Sequence, residues 1–389
     1  MLVFLRVRDD KATASVCSVI TVVTNRTGDM ILKHNDDTNN VLEQLENTRD
    51  NLTIEFEGQK ILLRNLNKDI WPKKGRNKAL TKRDLISYLA RVSPYLLPHL
   101  RDRPLTLSRF PNGINGKHFF QKHYRPVPKF VETVLLSSPD TPVREYLLCN
   151  NLATLLWLAQ IADIELHTWY SRVKPGADFR SDAGDAGNPD FVTDYPDFIV
   201  FDIDPYIYSG RETAGDEPEL NREAFHQTCQ VALKLKETLD DLSFPSFVKT
   251  SGRTGLHVFA PVLRQFDFHK THSVAETICR HLSRQHPHDI TTDWAVEKRK
   301  GKIFLDYNQN VRGKTLASIY SPRPSLEATV SMPLHWDELD KAYPTDFTIL
   351  TVPDRLDKTG DLWENILADK VDTRNKLTGI LSESQENTP

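Results

Sequence analysis

The chain has 389 residues, 39% hydrophobic and 26% charged, a composition of folded domains with room for two or three of them. No apolar run approaches the roughly 20 residues that span a bilayer, and the short stretch Val16 to Val23 follows Asp9 and Asp10, unlike a secretory signal, so membrane and secreted classes are excluded. The net charge of −3 is unevenly spread: from Lys60 to Arg103 twelve Lys and Arg stand against three Asp, an excess of +9 that leaves −12 elsewhere, the pattern of a basic face for a polyanion.

Cys17, Cys149, Cys229 and Cys279 lie far apart with no C-x-x-C pair, as expected of reduced thiols in a cytoplasmic compartment. Residues 1–50 combine a candidate strand, Ser15 to Thr24, with an aperiodic polar stretch, and read as a peripheral or partly disordered leader. From Leu52 the pattern sharpens. Leu52 to Phe56 and Lys60 to Leu63 alternate around Glu57-Gly58-Gln59, a hairpin. Leu85, Leu89, Val92 and Leu96 recur at helical spacing behind a capping Thr81. A mostly apolar helix is expected from Pro142 to Ile161.

The central region predicts strand Asp197 to Asp204, stopped by Pro205, then a helix from Asn221 to Leu242 with Phe225, Thr228, Ala232, Leu235 and Leu239 on one face. Strand Ser246 to Thr250, a turn Ser251 to Gly255 and strand Leu256 to Val262 follow, then helix Thr271 to Gln285 and strand Lys302 to Tyr307. The order βαββαβ is a split βαβ unit, in which first and last strands lie side by side and both helices cover one face. The other face stays open. Segments Pro175 to Pro189 and Tyr208 to Glu219 read as loops. Asp361 to Ile380 could form one amphipathic helix, and the tail after Ser382 reads as disordered. There is no internal repeat. The division expected is a leader 1–50, an N-terminal α/β subdomain 51–195, a catalytic subdomain 196–350 and a C-terminal helix and tail 351–389.

Strand period 2 puts Asp202 and Asp204 on one face, opposite Ile199, Phe201 and Ile203. Two carboxylates this close repel unless a cation or proton lies between them, and oxygen donors suit Mg²⁺ or Mn²⁺. Asp306 is in phase to join them if the last strand neighbours the first; a solvated strand end is the alternative. Lys249 to His257 carries two glycines three apart, which let backbone N–H groups face an anion, with Ser251, Arg253 and Thr254 as further donors. A plain hairpin turn reads equally from that segment alone. Phe119 and Phe120 beside Lys122 fit either core aromatics or base stacking with phosphate contact. His167, alone in Glu165 to Trp169, reads as structural or surface without further context. Cys279, His281, His286 and His288 are close in sequence, but Cys279 and His281 diverge on a helix and the spacing matches no usual zinc finger.

In this order the segments resemble the polymerase domain of bacterial ligase D, of the archaeo-eukaryotic primase superfamily, over about Leu52 to Ile380. Phe201-Asp-Ile-Asp-Pro205, Thr250-Ser-Gly-Arg-Thr-Gly-Leu-His257 and Phe304-Leu-Asp-Tyr-Asn-Gln-Asn310 with Lys314 look like its three motifs; Phe119 to Lys122, Glu165 to Trp169 and Tyr320 to Arg323 support them. Thr254 stands where members often have Lys. The resemblance implies an α+β primase-polymerase fold with a central βαββαβ, RRM-like catalytic sheet. It implies a template-dependent nucleotidyltransferase that extends or fills gaps at DNA ends in non-homologous end joining, with a preference for ribonucleotides. Asp202, Asp204 and Asp306 would bind two divalent ions, Mg²⁺ or Mn²⁺. Lys122, Ser251, Gly252, Gly255, His257, Lys314 and Arg323 would contact the nucleotide's phosphates, and His167 its ribose side. Lys68 and Lys82, in Asn67 to Pro72 and Thr81 to Asp84 with an insertion Lys73 to Leu80 between, would grip a downstream 5′-phosphate, and Phe119 and Phe120 would meet DNA. Partners implied are DNA ends and gaps, NTP or dNTP, a separate DNA ligase (no K-x-D-G motif is present) and a Ku-type end-binding protein, in a cytoplasmic, nucleoid-associated setting. A sugar-nucleotide transferase also uses D-x-D, though the basic region argues against it. A primase and a non-catalytic end-bridging protein remain as alternatives.

Overall fold

The structure, a computed structural model, describes residues 37–73, 78–138, 141–179, 186–208, 210–213, 218–368 and 370. The candidate strand Ser15 to Thr24 and most of the helix expected over Asp361 to Ile380 lie outside the described residues. Residues 361–368 form successive turns rather than helix, with Trp363 and Ile366 buried.

The described residues open on helix α1, residues 37–45, whose Val41 and Leu45 are buried in the main core. The peripheral leader expected over 1–50 therefore does not extend to this part. The Gln44 amide explains the docking: it accepts from Glu55 N and donates to Glu55 O, both at 2.9 Å, and so covers the edge of the first hairpin. Arg83 adds bonds to the carbonyls of Leu45, Asn47 and Arg49. Strands β1 (Leu52–Phe56) and β2 (Gln59–Leu63) form that hairpin, and Glu57 and Gly58 both take the positive φ a tight two-residue turn requires. Strands β3 (Asp69–Trp71) and β4 (Leu80–Thr81) pair next, so the chain returns and Lys82 N donates to Lys68 O at 2.9 Å. Helix α2 (Lys82–Leu100) starts in a capping box between Thr81 and Asp84, and Leu85, Leu89, Val92 and Leu96 are all buried.

Strands β5 (Leu105–Arg109) and β6 (Phe119–Gln121) precede a long hairpin of β7 (Glu132–Ser138) and β8 (Thr141–Leu148). The expected helix from Pro142 is thus a strand as far as Leu148. Val143 and Tyr146 favour extended backbone, Tyr146 pairs with Val134 of β7, and only at Asn151, whose Oδ1 accepts from Thr154 N at 2.8 Å, does helix α3 (Leu152–Gln160) begin. Strand β9 (Asp163–Trp169) carries His167, and the short helix α4 (Pro189–Val192) leads to the central sheet.

Strand β10 (Phe198–Pro205), helix α5 (Arg222–Asp241), strands β11 (Phe247–Thr250) and β12 (Leu256–Pro261) and helix α6 (Phe268–Gln285) follow the expected order. After them come β13 (Ile290–Thr291), the short helix α7 (Val296–Arg299), β14 (Ile303–Asp306), β15 (Thr315–Ala317), β16 (Pro333–Leu334) and helix α8 (Val352–Thr359). One sheet runs β13-β14-β10-β12-β11-β16, and its inner four strands are the split βαβ arrangement. Helices α5 and α6 touch each other and β10, so they share one face. Ile199, Phe201 and Ile203 are buried, and Asp202 lies on the alternate side of the strand. A second sheet, β15-β9-β5-β6, is tied to the first by Lys249 Nζ of β11, which donates to Ala317 O of β15 at 3.0 Å, and through Arg323, which pairs with Glu165 of β9 at 2.7 Å and donates to Ser251 O at the end of β11.

Register is held beyond the end of β14 by Asn310, which is 1% exposed. Its Oδ1 accepts from Val200 N at 2.8 Å, and its Nδ2 donates to Val200 O at 2.7 Å and Tyr307 O at 2.9 Å. One side chain thus continues the ladder along β10. Asn310→Ala leaves the Val200 N–H and carbonyl unpaired in the core, and should cost about 2–6 kcal/mol at the ~1–3 kcal/mol typical of each buried orphan. Urea unfolding checks this: a lower midpoint at unchanged slope is expected.

Candidate active site

Antiparallel pairing puts residues directly opposite one another on the same sheet face. Here Lys249 opposes His257, His257 opposes Asp202, and Asp202 opposes Asp306, so four strands present one continuous row. All four side chains are buried. Burial, with Asp204 and Asp306 as neighbouring carboxylates, pushes the Asp202 carboxyl well above its usual range, against the pull of Lys249 and Arg323. Its Oδ1 is buried without a well-aligned hydrogen bond, although His257 Nε2 lies 3.3 Å away. The Gln309 amide lies 3.5 Å from Asp202 Oδ2 and 3.2 Å from Asp306 Oδ2, and Asn308 N donates to Asp306 Oδ1 at 2.7 Å. Burial, then Lys249 and Arg323, hold His257 well below its usual range, which keeps the imidazole neutral.

The Ser251 to Gly255 turn lies against this row. Ser251 N donates to Gly255 O at 2.9 Å, and Ser251 Oγ accepts from Arg253 N and Gly255 N at 3.1 Å each, so hydroxyl and backbone fold on themselves. Gly255 is needed for close approach: a Cβ there would stand 2.2 Å from Ile203 O and 2.8 Å from Asp204 Oδ1. Gly252 has φ +75°, and a Cβ would meet Arg323 Cγ at 2.6 Å. Arg323 is buried, bonded to Ser251 O at 2.8 Å and paired with Glu165, so it ties the turn to the second sheet. Burial opposes ionisation of Glu165, but Arg323, His167 and Ser108 outweigh it and hold the carboxyl low.

His167 stands beside Glu165 at 3.6 Å, and neither ring nitrogen has a well-aligned partner. The exposed Phe120 ring meets its edge at 5.6 Å between centroids, while Phe119 is half-buried under the Lys117 ammonium. The exposure of Phe120 removes the core alternative for that residue. Lys122 and Lys314 are exposed.

The two basic residues assigned to a 5′-phosphate are neighbours, because the β3–β4 hairpin closes the insertion between them. Lys68 is half-buried, with Nζ bonded to Asn112 Oδ1 at 2.8 Å. Lys82 is buried, with Nζ donating to Arg64 O at 3.2 Å and Gln160 O at 3.1 Å. Burial, then the Lys68 ammonium, lowers its pKa, and Arg109 adds to the same cationic group.

Among the described residues, no three His, Cys, Asp or Glu side chains are gathered tightly enough to form a metal site as they stand. Asp202 and Asp306 face the Gln309 amide, and Cys279 is part of the helix-side core rather than a ligand cluster. The donor set nevertheless fits a hard cation: buried carboxylates in register and an orphaned Asp202 Oδ1, beside the Asp204 carboxylate. Sequence reasoning missed Lys249, Gln309 and Glu165 as parts of this centre. A charged residue inside the strand Phe247–Thr250 was the available signal for Lys249; the partners of Glu165 and Gln309 depend on tertiary contacts.

The family model described as "LigD, primase-polymerase domain" matches residues 81–363, a stretch that includes Lys82 and all three aspartates and leaves out Lys68. The bifunctional non-homologous end joining protein LigD of Bacillus subtilis is 32% identical over 284 residues, covering 72% of this chain and 40% of that protein. The multifunctional LigD of Pseudomonas aeruginosa is 30% identical over 306 residues, covering 77% of this chain and 32% of that protein. The chain spans 40% or less of the length of these curated relatives. Among solved structures, the polymerase domain from Mycobacterium tuberculosis ligase D in complex with DNA matches with a TM-score of 0.67 at 27% identity, covering 80% of this chain and 100% of that one.

The charge crowding has a measurable consequence in metal-free buffer. A carboxyl raised in the folded state binds its proton more tightly there than when unfolded. Its contribution is therefore fully present below the unfolded value near 4 and is lost as pH rises through the folded value. Asp202→Asn should flatten that decline and, at neutral pH, melt roughly 2–4 °C higher, the shift about 1 kcal/mol produces in a large domain. Thermal unfolding in EDTA at several pH values checks it; a lower midpoint for the variant would contradict the crowding.

Proposed function

The chain belongs to the LigD primase-polymerase family, and on that premise we propose that it is a template-dependent nucleotidyltransferase that extends or fills gaps at DNA ends in non-homologous end joining. The observation that carries the reading is the in-register, buried pair Asp202 and Asp306, with the Asp202 carboxyl pushed up by burial and its carboxylate neighbours, beside the Ser251 to Gly255 turn packed against Asp204.

In this reading Asp202, Asp204 and Asp306 hold two divalent ions, Mg²⁺ or Mn²⁺. When bound, such ions offset the triphosphate charge and lower the pKa of a primer 3′-hydroxyl. The chain's own residues do the rest. The Gly252 and Thr254 N–H groups, those that the internal bonds of the Ser251 to Gly255 turn do not use, receive the phosphates with the neutral His257 ring, and Arg323 braces the turn behind them, in a water-poor site where fixed donors are worth most. Lys122 and Lys314, both exposed, meet the outer phosphates. His167 takes the ribose side, and Phe120 offers an exposed ring for a base to stack upon. Lys68 supplies the accessible charge for a downstream 5′-phosphate, and Lys82 adds positive field from behind it. A separate DNA ligase that seals the product and a Ku-type end-binding protein are the proposed partners, in the cytoplasm at the nucleoid. Among the described residues no helix is long and apolar enough to cross a membrane.

The test is single-nucleotide addition to a gapped, 5′-phosphorylated duplex with each nucleotide type and each metal. Asp204→Ala should abolish addition while DNA binding survives; near-normal extension in Mn²⁺ would remove the metal assignment. Calorimetric melting gives a readout free of activity: Mn²⁺ should raise the midpoint of the unmodified protein and leave Asp204→Ala nearly unmoved.

The finer parts are tested on the same substrate. Lys68→Ala should remove most of any preference for a 5′-phosphate over a 5′-hydroxyl, and reduce the slope of log affinity against log salt by about 1. Equal binding of the two gaps by the unmodified protein would show the pocket to be misassigned. Ribonucleotide preference requires a polar group left unpaired when the 2′-hydroxyl is missing, at about 1–3 kcal/mol, or roughly one to two decades in kcat/KM. His167→Ala should reduce ribonucleotide use more than deoxynucleotide use, and equal losses would leave it a general positioning residue.

A further inference from the structure

Asp204 opposes Phe304 of β14, and Phe304 stands beside Thr291 of β13. On the β12 side of Asp204 lies the Ser251 to Gly255 turn, where a Cβ on Gly255 would stand 2.8 Å from Asp204 Oδ1. The turn and Phe304 thus flank Asp204 from opposite sides. Past Phe304 the surface is aromatic. The Arg299 guanidinium lies 3.6 Å from the centre of the Phe304 ring, 5.0 Å from that of Tyr206 and 5.2 Å from that of Trp294. Three hydrogen bonds fix it there: Nε to Asp293 O at 2.8 Å, Nη1 to Tyr206 Oη at 2.9 Å and Nη2 to Trp294 O at 2.5 Å. Gly301 N to Tyr206 O at 2.7 Å and Tyr206 N to Lys302 O at 2.9 Å tie the same segment to the end of β10.

Arg299 is buried, yet Trp294 is 64% exposed, the most exposed large hydrophobic side chain among the described residues. A lone surface apolar residue needs no explanation. This one is held by a buried cation and flanked by the exposed Lys298 and Lys300, in a segment, Asp293 to Lys302, with four cations against two acids. A fixed, exposed ring among ammonium groups is how a protein stacks bases and tracks a phosphate backbone. In-line phosphoryl transfer says which strand: attacking and leaving oxygens lie on opposite sides of the phosphorus. With the leaving phosphates at the turn, the attacking 3′-hydroxyl enters from the β14 side, where Trp294 stands. A base inside a duplex has both faces covered, so only an unpaired one can stack on the indole.

We propose that Trp294 is a stacking platform for a base of a single-stranded 3′ tail, the strand that delivers the 3′-hydroxyl. The delivery of that hydroxyl rests on the polymerase reading; a site for an unpaired DNA base does not. Asp204 and Phe304 are cross-strand neighbours ~5 Å apart, and the Trp294 ring is 6.2 Å from that of Phe304. The platform therefore stands on the order of 10 Å from Asp204, about three base steps at ~3.4 Å each.

The test is fluorescence anisotropy on the full chain in EDTA, so that neither metal nor activity enters. The probe is a labelled duplex with a single-stranded 3′ tail, carrying an abasic site at each tail position in turn. Trp294→Ala should weaken binding of the intact tail about 10-fold, the scale of one lost base stack, and Trp294→Phe, which keeps a ring, no more than about 3-fold. An abasic site about three nucleotides from the 3′ end should weaken the unmodified protein about 10-fold and Trp294→Ala hardly at all. Arg299 bonds the backbone carbonyl of residue 294, which both variants keep, so their thermal midpoints should match that of the unmodified protein. Independent losses at every tail position overturn the platform. An equal loss by Trp294→Ala on a blunt duplex also overturns it, in favour of a backbone contact. Coupling at the tail in a protein that adds no nucleotide to any gap would sink the polymerase reading and leave the platform standing. Nucleotide addition without coupling at any position would do the reverse.

Discussion

Everything at this centre depends on the register of β10 between β12 and β14. Because a strand's side chains alternate, a slip of one residue would turn Asp202 into the helix-covered core and Ile203 into the open face. The register is fixed on one side by six aligned pairs with β12, and on the other by four with β14, and the Asn310 amide extends that edge past the end of the strand. What the register produces is a row in which the side chains of Lys249, His257, Asp202 and Asp306 stand side by side, all of them buried.

The glycine turn and the second sheet close the remaining sides. Gly255 lets the turn sit against the Ile203 carbonyl, which brings its backbone to Asp204, and Gly252 takes a conformation that also clears Arg323. Arg323 then spends one edge on the turn and the other on Glu165 of β9. Glu165 is itself held by Ser108 of β5 at 2.5 Å. The anion-facing turn is therefore not a free loop. It is braced from the sheet that also carries His167 and, on β6, Phe120, so the two sheets form one site although their strands are distant in sequence.

Much of this was legible before any coordinates. The period-2 pattern of Phe198 to Asp204, the caps at Thr81 and Asn221, and the strand–turn–strand around Ser251 to Gly255 are local signals, and local signals survive folding. The paired position of Asp306 followed from topology. Non-local pairings were not legible. The second sheet assembles β15, β9, β5 and β6 across some 200 residues, and no segment states its partner. Pro142 to Ile161 looked helical because its apolar content is dense, and the break at Asn150 and Asn151 was outweighed in that pattern. The resemblance gave Lys82 as a grip on a 5′-phosphate, but its Nζ donates to two carbonyls at the junction of β2 and α3, a need visible only once those chain ends meet.

The two ends of β10 show how one residue type is set to opposite tasks. At its root Asp197 is fully buried and bonded to Arg103 at 2.8 Å, Arg172 at 2.9 Å and Lys370 at 2.6 Å. Burial alone would raise its pKa, yet Arg103, Lys370 and Arg172 outweigh burial and drive it well below the usual range. That carboxylate is permanently ionised and knits α2, β10 and the segment after α8 together. At the tip, Asp202 is also buried, but its nearest charged neighbours include two more carboxylates, and its pKa moves the other way. The root is complete within the chain; the tip is short of positive charge. A strand anchored by satisfied charge at one end can carry unsatisfied charge at the other without losing register, which is the condition for a site whose counter-ions arrive with its substrate.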